Sequence, residues 1–289
     1  LTGAKIGILT EGANSAGAWL AGCVPHRLAG GKSTASDIGL NARQMLEQGL
    51  EGYVLFNVEP KLDCFDGLKA HFALQKARWV VALTSFESPA LLEIADVLLP
   101  ITPFSETNGT YVNAAGQWQS FQAVCAPLGE SRPGWKVLRV LGNLCDMPGF
   151  EYESSQQILQ EIRDKVGNNM ILGSWEQWQP TSLSRLAQSE KIIRIAPVPL
   201  YAADSLVRRA SSLQKTEDAG RALVHLNAEL AKRLSLSGND VEVFCEEVSV
   251  VLPYVIDESV PNQTVIIASG LENVALPGGP YSIVEIRAL

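Results

Sequence analysis

The sequence is poor in the residues that usually announce chemistry. Its three histidines, His26, His71 and His225, sit in unrelated segments, without a histidine partner at metal-binding spacing. Its five cysteines, Cys23, Cys64, Cys125, Cys145 and Cys245, are far apart and odd in number. No C-x-x-C pair occurs, so neither a zinc site nor an iron–sulfur cluster is signalled within the chain. Buried free thiols in a reducing compartment are the expectation. No G-x-S-x-G elbow marks a serine nucleophile, and no G-x-G-x-x-G marks a standard dinucleotide site. No apolar run approaches the roughly 20 residues of a membrane helix, so no membrane insertion is expected. No basic stretch followed by an apolar one reads as a signal peptide. The sequence begins at Leu1 rather than at a methionine, from which a piece of a longer or processed chain is expected, with chemistry upstream. Basic residues are also in deficit, 23 against 31 acidic, giving a net charge of -8 that argues against a nucleic-acid partner.

What is present is a globular composition. Hydrophobic residues make up 46% of 289 positions, enough for a large core and for two domains. The first half alternates strand and helix. AKIGILT (Ala4–Thr10), GYVLFNV (Gly52–Val58), RWVVALTS (Arg78–Ser85) and DVLLPI (Asp96–Ile101) read as apolar strands. LNARQMLEQG, FDGLKAHFALQKA and ESPALLEIA read as helices, the last with Ser88 as N-cap and Pro89 at the first helical position. Strands alternating with helices imply parallel pairing, and apolar strands imply a sheet covered on both faces. GTYVNAAGQWQSF (Gly109–Phe121) alternates around a small-residue turn and reads as a hairpin appended to that sheet. RPGWKVLRVLGNLCD and SSQQILQEIRDKVG read as further helices. The pattern dissolves into Gly, Ser, Gln, Pro and Trp near Asn168–Gln188. Beyond it, DVEVFCEEVSVVLPYVIDESV and TVIIASG are β-rich, in the manner of a small barrel. The expected organisation is α/β: a doubly wound, mostly parallel sheet domain over residues 1–167, a linker over 168–190, and a small β-barrel domain over 191–289.

Several stretches invite a functional reading. GGKST (Gly30–Thr34) ends like a P-loop, but His26 stands where the first glycine belongs and no apolar strand leads in, so a flexible loop is expected. EGANSAG (Glu11–Gly17) follows a strand and enters a helix. Its glycines permit close backbone approach and its helix start favours an anion, yet a plain turn capped by Asn14 or Ser15 has the same form. Asp63 with Asp66 and Glu246 with Glu247 are adjacent carboxylates of the solvated kind. Arg208 and Arg209 form a pair suited to a phosphate, to a partner's carboxylates, or to a surface or interdomain ion pair. The polar cluster Ser105–Thr110 after DVLLPITPF lies where open α/β sheets bind ligands.

That last segment carries a resemblance. ADVLLPITPFSETNGTYVNAAGQWQSF resembles the molybdopterin oxidoreductase superfamily, where a strand ending in LP is followed by an acidic residue, Gly-Thr, Asn and Gly-x-x-Gln. Here these are Glu106, Gly109 with Thr110, Asn113, and Gly116 with Gln119. ANSAGAWLAG, FNVEPKLD, SFESPALLEIADVLLP, PFSETNGTYVN and LVRRASSLQKT more narrowly resemble the large iron–sulfur subunit of bacterial NADH–quinone oxidoreductase (respiratory complex I). The tail over about Ile192–Gly270 is similar to the superfamily's dinucleotide-binding barrel. The resemblance implies a non-catalytic scaffold portion of a subunit whose iron–sulfur clusters lie in an N-terminal region absent here. It implies other peripheral-arm subunits as partners and a place on the cytoplasmic face of the bacterial inner membrane. It also marks a vestigial cofactor pocket at Gly12, Asn14, Ser15, Ser105, Glu106, Asn108, Gly109, Thr110, Asn113 and Gln119. Ala115 and Gln117 replace an acidic residue and an arginine common in the enzymes, so no molybdopterin is expected. The alternative is a cofactor-binding fragment of a working molybdopterin-dependent oxidoreductase.

Overall fold

The computed structural model describes residues 10, 12–34, 38–167 and 191–289. The expected strand Ala4–Thr10, except for its last residue, and the expected linker 168–190 lie outside the described residues. In chain order the elements are α1 (Ser15–Ala21), β1 (Arg27–Leu28), β2 (Lys32–Ser33), α2 (Ala42–Gln48), β3 (Gly52–Phe56), α3 (Pro60–Asp63), α4 (Gly67–Gln75), β4 (Trp79–Thr84), α5 (Pro89–Leu92) and β5 (Val97–Pro100). Then come β6 (Gly109–Val112), β7 (Trp118–Phe121), α6 (Gly134–Leu144), α7 (Ser155–Val166), β8 (Ile192–Ile195), α8 (Ser205–Arg208), β9 (Val224–Leu226) and α9 (Ala228–Arg233). β10 (Asp240–Cys245), β11 (Val248–Ile256), β12 (Thr264–Ile266) and β13 (Ile283–Ala288) complete the chain.

The architecture is mixed α/β, with a parallel sheet and a small barrel, as the alternation of elements predicts. The sheet has the order β3-β4-β5. Asp96 N donates to Val80 O and Ile101 N to Thr84 O, so β4 and β5 advance in the same direction. The helices between these strands start where their sequences say. Ser88 Oγ accepts from Leu91 N at 3.3 Å with Pro89 behind it, and Asp66 Oδ1 accepts from Lys69 N at 3.1 Å to cap α4.

The chain falls into two compact units. One takes Leu1–Gln48, Leu83–Ser85 and Leu99–Thr181; the other takes Gly49–Ala82, Phe86–Leu98 and Ser182–Leu289. In the second unit the six strands β10-β11-β9-β12-β8-β13 close into a barrel. Alternate residues of β10 point inward, so that Val241, Val243 and Cys245 join Val224, Val265 and Ile286 in one core. Closure leaves no open edge for a further strand. Arg194 of β8 is also buried, 2% exposed, its guanidinium donating to the carbonyls of Ile267 and Ala268.

The paired charges singled out in the sequence are consumed within the second unit. Arg208 donates to Glu59 Oε2 at 2.8 Å, to Asp63 Oδ1, and to the carbonyl of Ala202. Arg209 grips the same Glu59 with two donors, at 2.7 and 3.1 Å, and lies over the Phe86 ring. Burial alone would push the Glu59 carboxyl up, but Arg209 and Arg208 together hold it below its ordinary value. Of the other carboxylates, Asp66 accepts from Gly278 N, and Glu246, at a β turn with φ +54°, pairs with Lys69 Nζ at 2.6 Å.

Three expectations are corrected. The flexible loop expected at Gly30–Thr34 instead contains β2, which pairs antiparallel with β1 around Gly30 and Gly31, whose φ values of +86° and +70° only glycine adopts freely. The β6–β7 hairpin forms a two-stranded sheet of its own rather than extending the parallel sheet. The cysteines are free, but Cys23, Cys125 and Cys145 are exposed and Cys245 alone is buried, because the other positions fall on loops and helix ends.

Candidate functional site

The predicted site residues belong to the first unit, around the hairpin β6–β7 and the start of α1. Pro103 opens a single 3-10 turn over Phe104–Glu106, after which the chain enters β6 at Gly109. Gly109 faces Phe121 across the hairpin, and a Cβ there would lie 2.5 Å from the Phe121 ring. That close approach, rather than a ligand, accounts for the glycine.

The polar side chains of the loop are turned on the protein's own backbone. Asn14 holds the N-cap position of α1 but makes no cap bond; its Oδ1 accepts from Val112 N of β6 at 2.8 Å. Gly17 is required by this placement, since a Cβ would sit 2.0 Å from that oxygen. Ser15 Oγ donates to Gly12 O at 3.0 Å. Glu106 Oε2 accepts from Leu128 N at 3.1 Å, and Asn108 Oδ1 from Ala123 N at 2.8 Å. Asn113 builds the hairpin turn: its Oδ1 accepts from Ala115 N at 3.0 Å and Gln117 N at 2.9 Å, and its Nδ2 donates to Gln117 Oε1 at 3.2 Å. Thr110 and Ser120 exchange a hydroxyl bond of 2.9 Å across the strands. Ser105 contributes its carbonyl, accepting from Val124 N at 2.9 Å, and Gln119 of β7 is exposed.

The structure therefore joins Asn14 to β6 and gathers Glu106, Thr107 and Asn108 at one cavity, while Asn113 and Gln119 belong to the hairpin. The cavity, about 460 Å³, is also lined by Arg132, Trp135 and Lys136 from the start of α6 and by Glu153–Gln156 around the start of α7. Sequence reasoning missed these second-wall residues. The available signals were helix-start marks, Pro133 ahead of α6 and Ser154, whose Oγ accepts from Gln157 N at 3.3 Å.

Residues 2–144 match the family model described as molybdopterin oxidoreductase. The chain carries a molybdopterin oxidoreductase family domain. A probable oxidoreductase (YjgC) of Bacillus subtilis strain 168 is 35% identical over 91 residues, 32% of this chain and 9% of that protein. A putative formate dehydrogenase of Staphylococcus aureus strain bovine RF122 / ET3-1 is 37% identical over 70 residues, 24% of this chain and 7% of that protein. The matched stretches thus span less than a tenth of these relatives' length. Among solved structures, acetylene hydratase from Pelobacter acetylenicus superposes with a TM-score of 0.60 over 96% of this chain and 51% of its own, at 14% identity. That likeness shows the fold alone.

A pterin cofactor implied by the family can be tested against the donor set. An anionic, multiply hydrogen-bonding group needs free donors aimed at it. Around the loop, the side-chain oxygens of Asn14, Asn108 and Asn113 are acceptors already engaged, and Glu106 adds a carboxylate. Among the described residues no group of three or more His, Cys, Asp or Glu side chains is placed to hold a metal ion. The engaged oxygens of this loop supply no such donors; the cations that line the same cavity, Arg132 and Lys136, come from outside the loop.

Proposed function

We propose that this chain is a non-catalytic scaffold: the molybdopterin-type portion of the large iron–sulfur subunit of an NADH–quinone oxidoreductase. The observation that carries the reading is the self-satisfaction of the loop. Glu106, Asn14, Asn108 and Asn113 each bond a backbone N–H of the same unit, as side chains do when they hold a loop's shape. On this reading the iron–sulfur clusters lie in a region N-terminal to Leu1, and the chain itself holds no cofactor. Its neighbours are other peripheral-arm subunits, on the cytoplasmic face of the inner membrane. No helix among the described residues is long and apolar enough to cross a membrane.

A second reading has its own support. The relatives named as a probable oxidoreductase and a putative formate dehydrogenase favour a cofactor-binding piece of a molybdopterin-dependent oxidoreductase. Elemental analysis of the purified protein, with pterin fluorescence after acid extraction, separates the two. The scaffold reading expects neither molybdenum nor tungsten nor pterin; a stoichiometric amount of any of them sinks it. An affinity tag on the chain is expected to co-purify NADH–quinone oxidoreductase activity, and recovery of formate dehydrogenase activity instead favours the second reading.

A further inference from the structure

We infer that residues 197–220, in the connection from β8 to β9, form a lid that is latched by charge over the carboxyl ends of β3 and β4 and opens as one piece while the barrel stays folded. The lid is independent of which reading of the function holds. Open parallel sheets take their ligands at this edge. Glu59 lies between β3 and α3, and Phe86 follows β4. Arg208 bonds Glu59 and Asp63, and Arg209 bonds Glu59 while lying over the Phe86 ring. Glu59 is buried in their company. The chain thus covers this edge with its own side chains.

The segment holds its own shape. Asp204 Oδ1 caps α8 by accepting from Leu206 N at 2.7 Å. Arg208 Nε donates to Ala202 O at 2.7 Å, and Gln214 Nε2 donates to Tyr201 O at 3.0 Å and to Val207 O at 2.8 Å. Pro199 closes on Gly220, where φ is +75° and a Cβ would lie 2.3 Å from the proline ring. The two ends of the segment therefore meet, and side chains within it tie its turns together, as in a compact loop that moves as a unit. Its flanks are fixed: β8 and β9 belong to the closed barrel, with Ile192, Val224 and Leu226 in the core.

Charge, more than packing, holds the segment down. Between 197 and 220 the buried residues are Ala202 and Ala219, which bring little apolar surface, while Val198 and Leu200 are exposed. A segment with few buried apolar contacts opens at a lower free energy than the core. The ion pairs do not raise that free energy much. Truncating one partner of a buried pair is costly because the other is left inside without a counter-ion. Lifting the whole segment returns Glu59, Asp63, Arg208 and Arg209 to water together, so no charge is orphaned. Buried ions that regain water on opening contribute little net hold. Opening uncovers two carboxylates and the Phe86 ring at the edge where a ligand would enter.

The test is native-state hydrogen exchange on the intact chain in rising, sub-denaturing urea. It is read at the amides of Arg208, Ala210, Gln214 and Thr216, which donate to carbonyls inside the segment, and at the amides of β10 in the barrel. The four segment amides are expected to share one opening free energy and to exchange about a hundredfold or more faster than β10, with a weak urea dependence because little surface is exposed. Arg209→Met removes a contact made only in the closed form and is expected to speed the segment's exchange about fivefold. Val243→Ala weakens the barrel core and is expected to speed β10 about tenfold or more while leaving the segment unchanged, since position 243 stays buried when the lid opens. Segment amides that exchange at the rate of β10, and accelerate with it in Val243→Ala, overturn the lid, because the segment then opens only when the barrel unfolds. Opening free energies that differ from amide to amide also overturn it, in favour of fraying. Segment exchange unmoved by Arg209→Met overturns the latch.

Discussion

The cluster around Glu59 gives the sharpest quantitative test of the structure, because it places one buried carboxylate between two arginines of different exposure. The Glu59 side chain is 7% exposed, Arg208 10% and Arg209 30%. Removing Arg208 leaves Glu59 held by both donors of Arg209, so the carboxylate is not orphaned. Arg208→Met is then expected to cost about 2 kcal/mol, below the roughly 3–5 kcal/mol seen when a buried ion loses its sole partner. Arg209→Met is expected to cost about 1 kcal/mol, since its exposed guanidinium is partly screened by water. The double variant leaves Glu59 buried without a cation, and its cost is expected to exceed the sum of the two by about 1–2 kcal/mol. Adding Glu59→Leu to the double variant is expected to recover most of that excess, because no buried charge then remains. Urea unfolding followed by tryptophan fluorescence measures all four. Additivity within about 0.5 kcal/mol, or no recovery in the triple variant, refutes the claim that the arginines share one buried carboxylate. The linkage has a definite sign. The Glu59 pKa is depressed in the folded protein, so its contribution is present above the unfolded value and lost as pH falls through the folded one. In the double variant burial alone remains and pushes the pKa up, so acid ceases to be destabilising through this group.

His71 makes a second pH prediction. Burial, and after it Lys61, push its pKa below the ordinary 6.5, against the pull of Glu93 at 2.9 Å. The unfolded chain therefore binds the proton first, and stability is expected to fall as pH drops below about 6.5. A His71→Leu variant that keeps the same slope between about pH 5 and 7 refutes this origin. Asn113→Ala leaves the exposed N–H groups of Ala115 and Gln117 at the hairpin turn to water and is expected to cost about 0.5–1.5 kcal/mol by thermal unfolding. If the loss is nil, the side chain is not structural and the ligand reading regains ground. Gly142→Ala should invert the usual helix preference. Alanine ordinarily stabilises a helix interior by about 1 kcal/mol over glycine, but here its Cβ would lie 2.3 Å from the Phe150 ring. A net loss of about 1–3 kcal/mol is expected, and a gain shows that Phe150 moves aside freely.

Local structure was legible wherever one residue decides it. Ser88 with Pro89 marks the start of α5, Ser154 that of α7, and the alternation of Gly109–Phe121 the hairpin, because caps and period-two patterns act over a few positions. The barrel's existence was legible from β10 and β11, but not its closure, in which β9 lies beside both β11 and β12. That order depends on pairings between distant segments, and no periodicity encodes them. The same limit hid the Glu59 cluster, whose partners stand 149 and 150 positions apart. It also hid the cavity wall contributed by α6 and α7.

The loop residues were ambiguous for a different reason. An asparagine carbonyl that accepts a backbone N–H and one that accepts from a ligand look alike in sequence, since the chemistry of the side chain is the same. What separates them is whether the oxygen still has a lone task to perform after the fold forms. Asn113, with two N–H donors on one oxygen, has little capacity left for a ligand. Asn14, though it stands at a helix start, reaches past its own helix to β6, which is how a side chain ties two elements together rather than caps one. A polar pattern inherited from a ligand-binding plan can thus be retained by the needs of the loop itself.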